Sequence, residues 1–202
     1  VDWLFSQKVE VIKKNIVKIS TVLLIRVYTK TRHVNSIDKF LNSIQLEHEI
    51  FTTKSPPSPE HEFEPFDLGV SYSYPRKITK ELLSIPSKGF VNYHAAPLPE
   101  YKGWLVYDEA IENKETHWGV TLHEIDEHYD TGPIIKRVNI NLHEPPVSKE
   151  QLGSIGHWFM FHLFKQTIAD VYNGSYSSKS QIVNAEEIYT KNLWYYKIIL
   201  NR

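Results

Sequence analysis

The sequence predicts an α/β fold with an open, mostly parallel sheet flanked by helices. Three observations carry that expectation. Strand-like and helix-like segments alternate along the chain, with no internal repeat. A composition of 41% hydrophobic and 23% charged residues over 202 residues suits one domain with at most a small appendage. Eight glycines and 11 prolines are few enough for most of the chain to order.

Each element has a local reason. Val9, Ile12, Ile16, Val17 and Ile19 are spaced as on an amphipathic helix. Thr21 to Tyr28 is β-branched and aliphatic, a strand. Ser36 is placed to cap a helix through Gln45, with Ile37, Phe40, Leu41 and Ile44 on one face. Leu46 to Thr52 reads as a strand, and the proline-rich Thr53–Pro65 as a loop. Asp67 to Ser73 is a short strand, Thr79–Ile85 a short helix closed by Pro86, and Gly89–Tyr93 an apolar strand. Trp104–Asn113 has helical spacing, and Gly119–Glu124 and Ile134–Ile140 are strands. Ser148 and Gln151 form a capping-box pattern opening a helix to about Asn173, stopped by Gly174. Leu152, Ile155, Phe159, Leu163, Ile168 and Val171 are its buried stripe.

Composition excludes several classes. A net charge of −1 gives no broad basic surface for nucleic acid. The longest strictly apolar run, Val22–Ile25, is far too short for a membrane helix. With no cysteine there is no disulfide frame, thiol nucleophile or cysteine metal site, which suits a cytoplasmic location. His157 and His162 are five apart and do not share a helix face, so no zinc pair is expected. No glycine precedes Gly69, which removes a phosphate-cradling glycine loop from the first third.

The chemistry concentrates in FVNYHAAPLPEYKG, residues 90–103, and WGVTLHEIDEHYDTGPII, residues 118–135. Asn92 and His94 alternate at the end of an apolar strand, so both face one side. Strand C-termini are where open α/β sheets bind ligands. Asp130 comes later, in a turn before Thr131-Gly132. An amide, an imidazole and a carboxylate meeting there suit acyl transfer. Spacing alone favours a structural His94 and a turn-forming Asp130. His123 reads as structural, and His128 is open between a ligand and a solvent contact.

The order of residues adds weight. Asn92-Tyr93-His94, Leu98-Pro99, Tyr101-Lys102-Gly103, Glu115, Gly119-Val120-Thr121, His123, Asp126, Asp130-Thr131-Gly132 and Ile134-Ile135 sit in register with one pattern. It resembles the catalytic core of the folate-dependent formyltransferases, from about Asp67 to Gly174. That family includes glycinamide ribonucleotide, methionyl-tRNA and sugar-nucleotide enzymes. The resemblance implies a Rossmann-like formyltransferase fold. It places Asn92, His94 and Asp130 at the catalytic positions, with N10-formyltetrahydrofolate as formyl donor and no metal. Asn92 and protonated His94 would hold the oxyanion, and Asp130 would orient His94 and help move the proton. Arg76, Lys77 and Ile78 on one wall, and Ile125, Glu127 and Tyr129 on the other, would hold the folate. Tyr101, Lys102 and Gly103 would meet the acceptor. Ala95, where many relatives have proline, and Lys102, where they have arginine, depart from the pattern.

Within the family, the absent glycine loop and the lack of basic excess favour a nucleotide-linked amino sugar, with a dTDP-linked 4-amino-4,6-dideoxy sugar first. Trp194, Tyr195 and Tyr196 would stack on the base, form a homodimer contact, or pack on the domain. The expected organisation is a catalytic domain over 1–174 and an extension over 175–202. The opening VDWLFSQKVEVIKK is a poor first strand, so the sheet's first strand is expected to be degraded or missing. The alternative function is a formyltransferase-like binding domain, weak or inactive, within a larger sugar-modifying protein.

Overall fold

A computed structural model describes residues 24–176 and the backbone of 181–184. The expected helix over 9–19, the opening strand and the C-terminal aromatics lie outside the described residues. Seven strands form one sheet in the order β2-β1-β3-β4-β5-β6-β7. They are β1 (Ile25–Thr29), β2 (His48–Thr52), β3 (Leu68–Tyr72), β4 (Phe90–His94), β5 (His117–Glu124), β6 (Ile134–Asn141) and β7 (Gln181–Asn184). β2, β1, β3 and β4 run parallel; β5 turns antiparallel to both β4 and β6, and β7 pairs with β6 in parallel.

β1 corrects the expectation about the first strand. It lies between β2 and β3, hydrogen-bonded on both sides. The inner place in the sheet is therefore filled by Ile25–Thr29, not by the opening residues. All five of its residues are buried, as an interior strand requires.

The helices are α1 (Val34–Ser43), α2 (Pro59–Glu62), α3 (Lys80–Leu83), α4 (Val106–Glu112) and α5 (Lys149–Tyr172). Ser36 is not a cap. A 3-10 turn over Thr31–His33 winds directly into α1, whose cap position is His33 with no side-chain hydrogen bond. The Thr53–Pro65 loop contains α2, because Ser58 accepts from the His61 amide and Pro59 occupies the first turn. At α5 the Ser148 hydroxyl accepts from the Gln151 amide at 3.2 Å. Gln151 reaches back one residue beyond the capping box, to the Val147 amide at 2.9 Å.

The sheet's two faces differ. Ile25, Val27, Leu68, Val70, Val91, Tyr93, Val120 and Leu122 pack with Ile37 and Leu41 of α1 and the stripe of α5 in the main core. On the opposite face Tyr28, Phe66, Ile78, Leu82 and Phe90 form a smaller cluster under α3. Alternation puts Asn92 and His94 on the Phe90 side, where that cluster ends. Buried Arg26 also lies on this face. It meets Glu49 at 2.7 Å and the Glu62 and Glu64 carbonyls at 3.2 and 3.1 Å, tying α2 to the sheet. Among the described residues, no helix is long and apolar enough to cross a membrane.

Candidate active site

β4 ends in Asn92 and His94, and β5 runs antiparallel beside it with Asn92 directly opposite His123. Cross-strand partners project from the same face. The Asn92 Nδ2 accordingly lies 3.0 Å from His123 Nε2 and donates to Asp130 Oδ1 at 3.2 Å. His123 Nδ1 is 2.7 Å from the Glu124 carbonyl, which can only accept. In the neutral ring Nε2 is then the acceptor for Asn92. The His123 ring also lies 3.4 Å from Asp130 Oδ1.

Asp130 arrives from the turn between β5 and β6 with a φ of 53°, in the left-handed region that aspartate tolerates. Its Oδ2 accepts from the Gly103 amide at 2.9 Å. Gly103 has a φ of 86°, and the absence of a Cβ there lets the backbone turn its N–H inward. Gly132 permits a second close approach, since a Cβ would run into the Glu124 carbonyl oxygen. His94 Nε2 lies 2.8 Å from the Tyr101 carbonyl and must donate to it; Nδ1 faces Asp130 Oδ2 at 3.7 Å. The side chains of His94 and Asp130 are both 11% exposed, and that of His123 is 2% exposed.

These contacts set the charges. Burial pushes Asp130 up, but the adjoining imidazoles of His123 and His94 and the Gly103 amide outweigh it and hold the carboxyl at about 2. Burial pushes His94 down, against the opposing pull of Asp130 and the Tyr101 carbonyl. In the resting site burial favours the neutral imidazole, with a carboxylate 3.7 Å away pulling the other way.

A cavity of about 180 Å³ opens on this group. Asn92, His94, Asp130, Arg76, Lys77, Ile78, Ile125, Tyr129 and Gly103 all line it. Three expected residues take other places. Glu127 is not in the lining; it pairs with Lys80 at 2.7 Å. The Tyr101 ring is buried and its hydroxyl donates to Glu115 at 2.8 Å, so only its carbonyl serves the site. Lys102 lines a separate hollow of about 350 Å³ on the other side of Asp130. Trp194 and Tyr195 lie outside the described residues.

Sequence reasoning missed His123 as a member of the group. Its spacing gave no sign, because the β4–β5 register that faces it to Asn92 is a tertiary property. Lys30, Tyr74, Trp104 and His157 also line the cavity. Trp104 immediately follows the expected acceptor stretch and is 60% exposed, the one signal available beforehand. No group of three or more His, Cys, Asp or Glu suited to a metal occurs among the described residues.

Comparison with known proteins fits this geometry. Residues 58–157 match the formyl transferase family model. A methionyl-tRNA formyltransferase of Thermodesulfovibrio yellowstonii is 32% identical over 118 residues, 57% of this chain. The chain spans only 37% of that relative's length. A sugar N-formyltransferase from Shewanella sp. superposes with a TM-score of 0.65 at 16% identity, over 82% of this chain and 78% of that one. An N-formyltransferase from Helicobacter canadensis, solved with folinic acid and dTDP-3-aminofucose, superposes with a TM-score of 0.61 at 21% identity, over 81% and 71%. At these identities the structural likeness is one of fold.

Proposed function

Because residues 58–157 match the formyl transferase family model, we propose that this chain transfers a formyl group from N10-formyltetrahydrofolate to the amine of a nucleotide-linked amino sugar. The observation that carries the reading is the convergence of Asn92, His94 and Asp130 on one cavity.

The cleft suits a folate. Ile78 and Ile125 supply apolar surface, and Lys77, 5.3 Å from the Tyr129 ring, adds a cation and an aromatic face at its edge. When bound, the folate supplies the formyl group. Ile78, Ile125 and Tyr129 would hold its ring system, with Arg76 and Lys77 near its acidic tail. Glu127 and Tyr101 have no direct part, and Lys102 would approach the acceptor from the far side of Asp130.

The charge balance dictates the proton chemistry. A carboxylate held at about 2 is a poor base at neutral pH, which leaves the His94 imidazole as the group to take a proton. His94 Nδ1 takes the proton lost by the attacking amine. Asp130 balances the imidazolium that results, and the Tyr101 carbonyl keeps Nε2–H in place. One Asn92 N–H turns from His123 or Asp130 to the formyl oxygen, where negative charge develops. His94 then gives its proton to the departing nitrogen.

A sugar acceptor is supported by the sugar-modifying structural neighbours and by a net charge of −1, which gives no overall basic excess for tRNA. The test is formyl transfer from N10-formyltetrahydrofolate to a panel of dTDP- and GDP-linked amino sugars, with methionyl-tRNA as a further acceptor. Turnover on a sugar nucleotide, abolished in His94→Asn, is expected. Turnover on methionyl-tRNA alone would redirect the acceptor. Folate binding with no turnover on any amine would leave a binding domain. A dTDP-linked 4-amino-4,6-dideoxy sugar remains the first acceptor to try, in a cytoplasmic setting.

A further inference from the structure

A second group of ionisable side chains lies beside the reaction cleft, where β1 runs into α1 and meets α5. Arg32 donates through Nε to His33 Nε2 at 3.1 Å, and its NH2 nitrogen lies 2.7 Å from His157 Nε2. The two imidazole rings are 5.0 Å apart. Among the described residues no carboxylate comes within ion-pair distance of Arg32. This guanidinium is thus held by two imidazoles that accept from it, with no ion-pair partner among the described residues.

Position gives the cluster meaning. Lys30 and His157 line the reaction cavity, while Arg32, His33 and again His157 line a larger groove of about 980 Å³ against α5. Tyr107 is likewise common to both. A continuous path therefore runs from Asn92 and His94 over Lys30 and His157 to Arg32. At about 180 Å³ the reaction cavity lies below the range of ordinary ligand pockets (about 300–1,000 Å³) and is too small to enclose a nucleotide-sized acceptor beside a folate. The remainder of an acceptor has to lie along this path. Other titratable groups facing the groove are Lys149, Lys165, Glu150 and His162; His162 is held at about 4 and is neutral, and Lys149 contacts Asp108 at 3.4 Å. The balance stays positive.

We propose that Lys30, Arg32, His33 and His157 form a proton-coupled site for a phosphate-type dianion, the remote anionic part of the acceptor. The identity of that acceptor rests on the formyl-transfer reading; the anion site itself does not. The coupling is a consequence of hydrogen-bond chemistry. In this structure both imidazole Nε2 atoms accept, so an incoming anion at Arg32 meets two lone pairs. Protonation turns each into a donor and frees the guanidinium fork for two parallel bonds to the anion. Burial, together with the neighbouring cations, holds His33 at about 4 and His157 at about 3 without a ligand. An anion removes that repulsion, so binding takes up protons.

Inorganic sulfate is the probe, since its double charge does not change across the range of interest. Calorimetry on the full chain, without folate or acceptor, is expected to show binding at about pH 5.5 that weakens about tenfold or more by about pH 8. Heats measured in two buffers of different ionisation enthalpy should reveal proton uptake. Arg32→Ala should lose the binding. His33→Gln with His157→Gln should lose the pH dependence, and a Lys165→Ala variant should keep it. Sulfate binding that is independent of pH, or undiminished in Arg32→Ala with its fold confirmed by circular dichroism, would overturn the proposal. Formyl-transfer kinetics separate the two readings. Raised KM for the acceptor with kcat retained in Arg32→Ala joins them, whereas no turnover with proton-linked sulfate binding intact removes only the reaction.

Discussion

Two histidine pairs stand side by side in this molecule and face opposite partners. His94 and His123 are gathered around Asp130, a carboxylate. His33 and His157 are gathered around Arg32, a cation. Burial lowers His94, His33 and His157 alike, and the charge of the partner sets them apart. At the first pair the carboxylate offsets part of the desolvation, leaving an imidazole able to accept a proton and hold it against a counter-ion. At the second the cation adds to the desolvation, leaving imidazoles that stay neutral until the pH falls far below neutrality. On the proposals above, one residue type would serve proton transfer in one place and anion sensing in another.

Asp130→Asn tests the first pair most severely. It keeps the shape and the Gly103 contact while removing the counter-charge, and formyl transfer should fall about a thousandfold. Steady-state rates at saturating folate and acceptor check it; a change of less than about threefold would mean that Asp130 only shapes the turn. Asn92→Ala removes the donor intended for the formyl oxygen, with an expected loss of about a hundredfold in kcat and a smaller change in KM. A loss confined to KM would assign Asn92 to binding.

Gly132→Ala probes the same pair from a distance. A Cβ there meets the Glu124 carbonyl, so the turn carrying Asp130 has to shift. Destabilisation of about 1–3 kcal/mol in chemical melts is expected, with a fall in activity larger than the loss of folded protein explains. Unchanged activity would show that the turn moves without taking Asp130 with it.

Acidification separates the two groups. The folded values of His33 and His157, about 4 and about 3, lie below the ordinary 6.5. The unfolded chain therefore binds protons first, and stability drains away as pH falls from about 6.5 toward 3. Asp130 moves from 3.8 to about 2, so its contribution is present above about 3.8 and is lost only as pH drops through 2. Melting midpoints at about pH 7 and about pH 5 should differ, and His157→Gln should shrink the difference. An equal difference in both proteins would remove His157 from the account.

The sequence revealed much of this arrangement, and what it hid has a common cause. Period-two alternation in FVNYH put Asn92 and His94 on one face, and they share one cavity. The Ser148 cap and the Gly174 stop bounded α5, because both act within one helical turn. His123 was read as structural, since only the antiparallel register sets it opposite Asn92. Tyr101 was read as an acceptor contact, yet its ring turns into the core beside Trp118, 5.0 Å between centroids. Glu127 was placed with the folate because of its loop, and Lys80 on α3 claims it. The Arg32 cluster was invisible because its members lie 125 residues apart. Local chemistry is legible in a sequence; pairings across the sheet and between distant helices are not.

The most direct measurement is a crystal structure of the chain with a stable formyl-folate analogue and dTDP. The account predicts the pterin beside Ile78 and Ile125, the formyl oxygen within about 3 Å of an Asn92 N–H turned away from His123 or Asp130, and His94 facing the formyl carbon. A pterin bound elsewhere, or a bound formyl group out of reach of both Asn92 and His94, would contradict it.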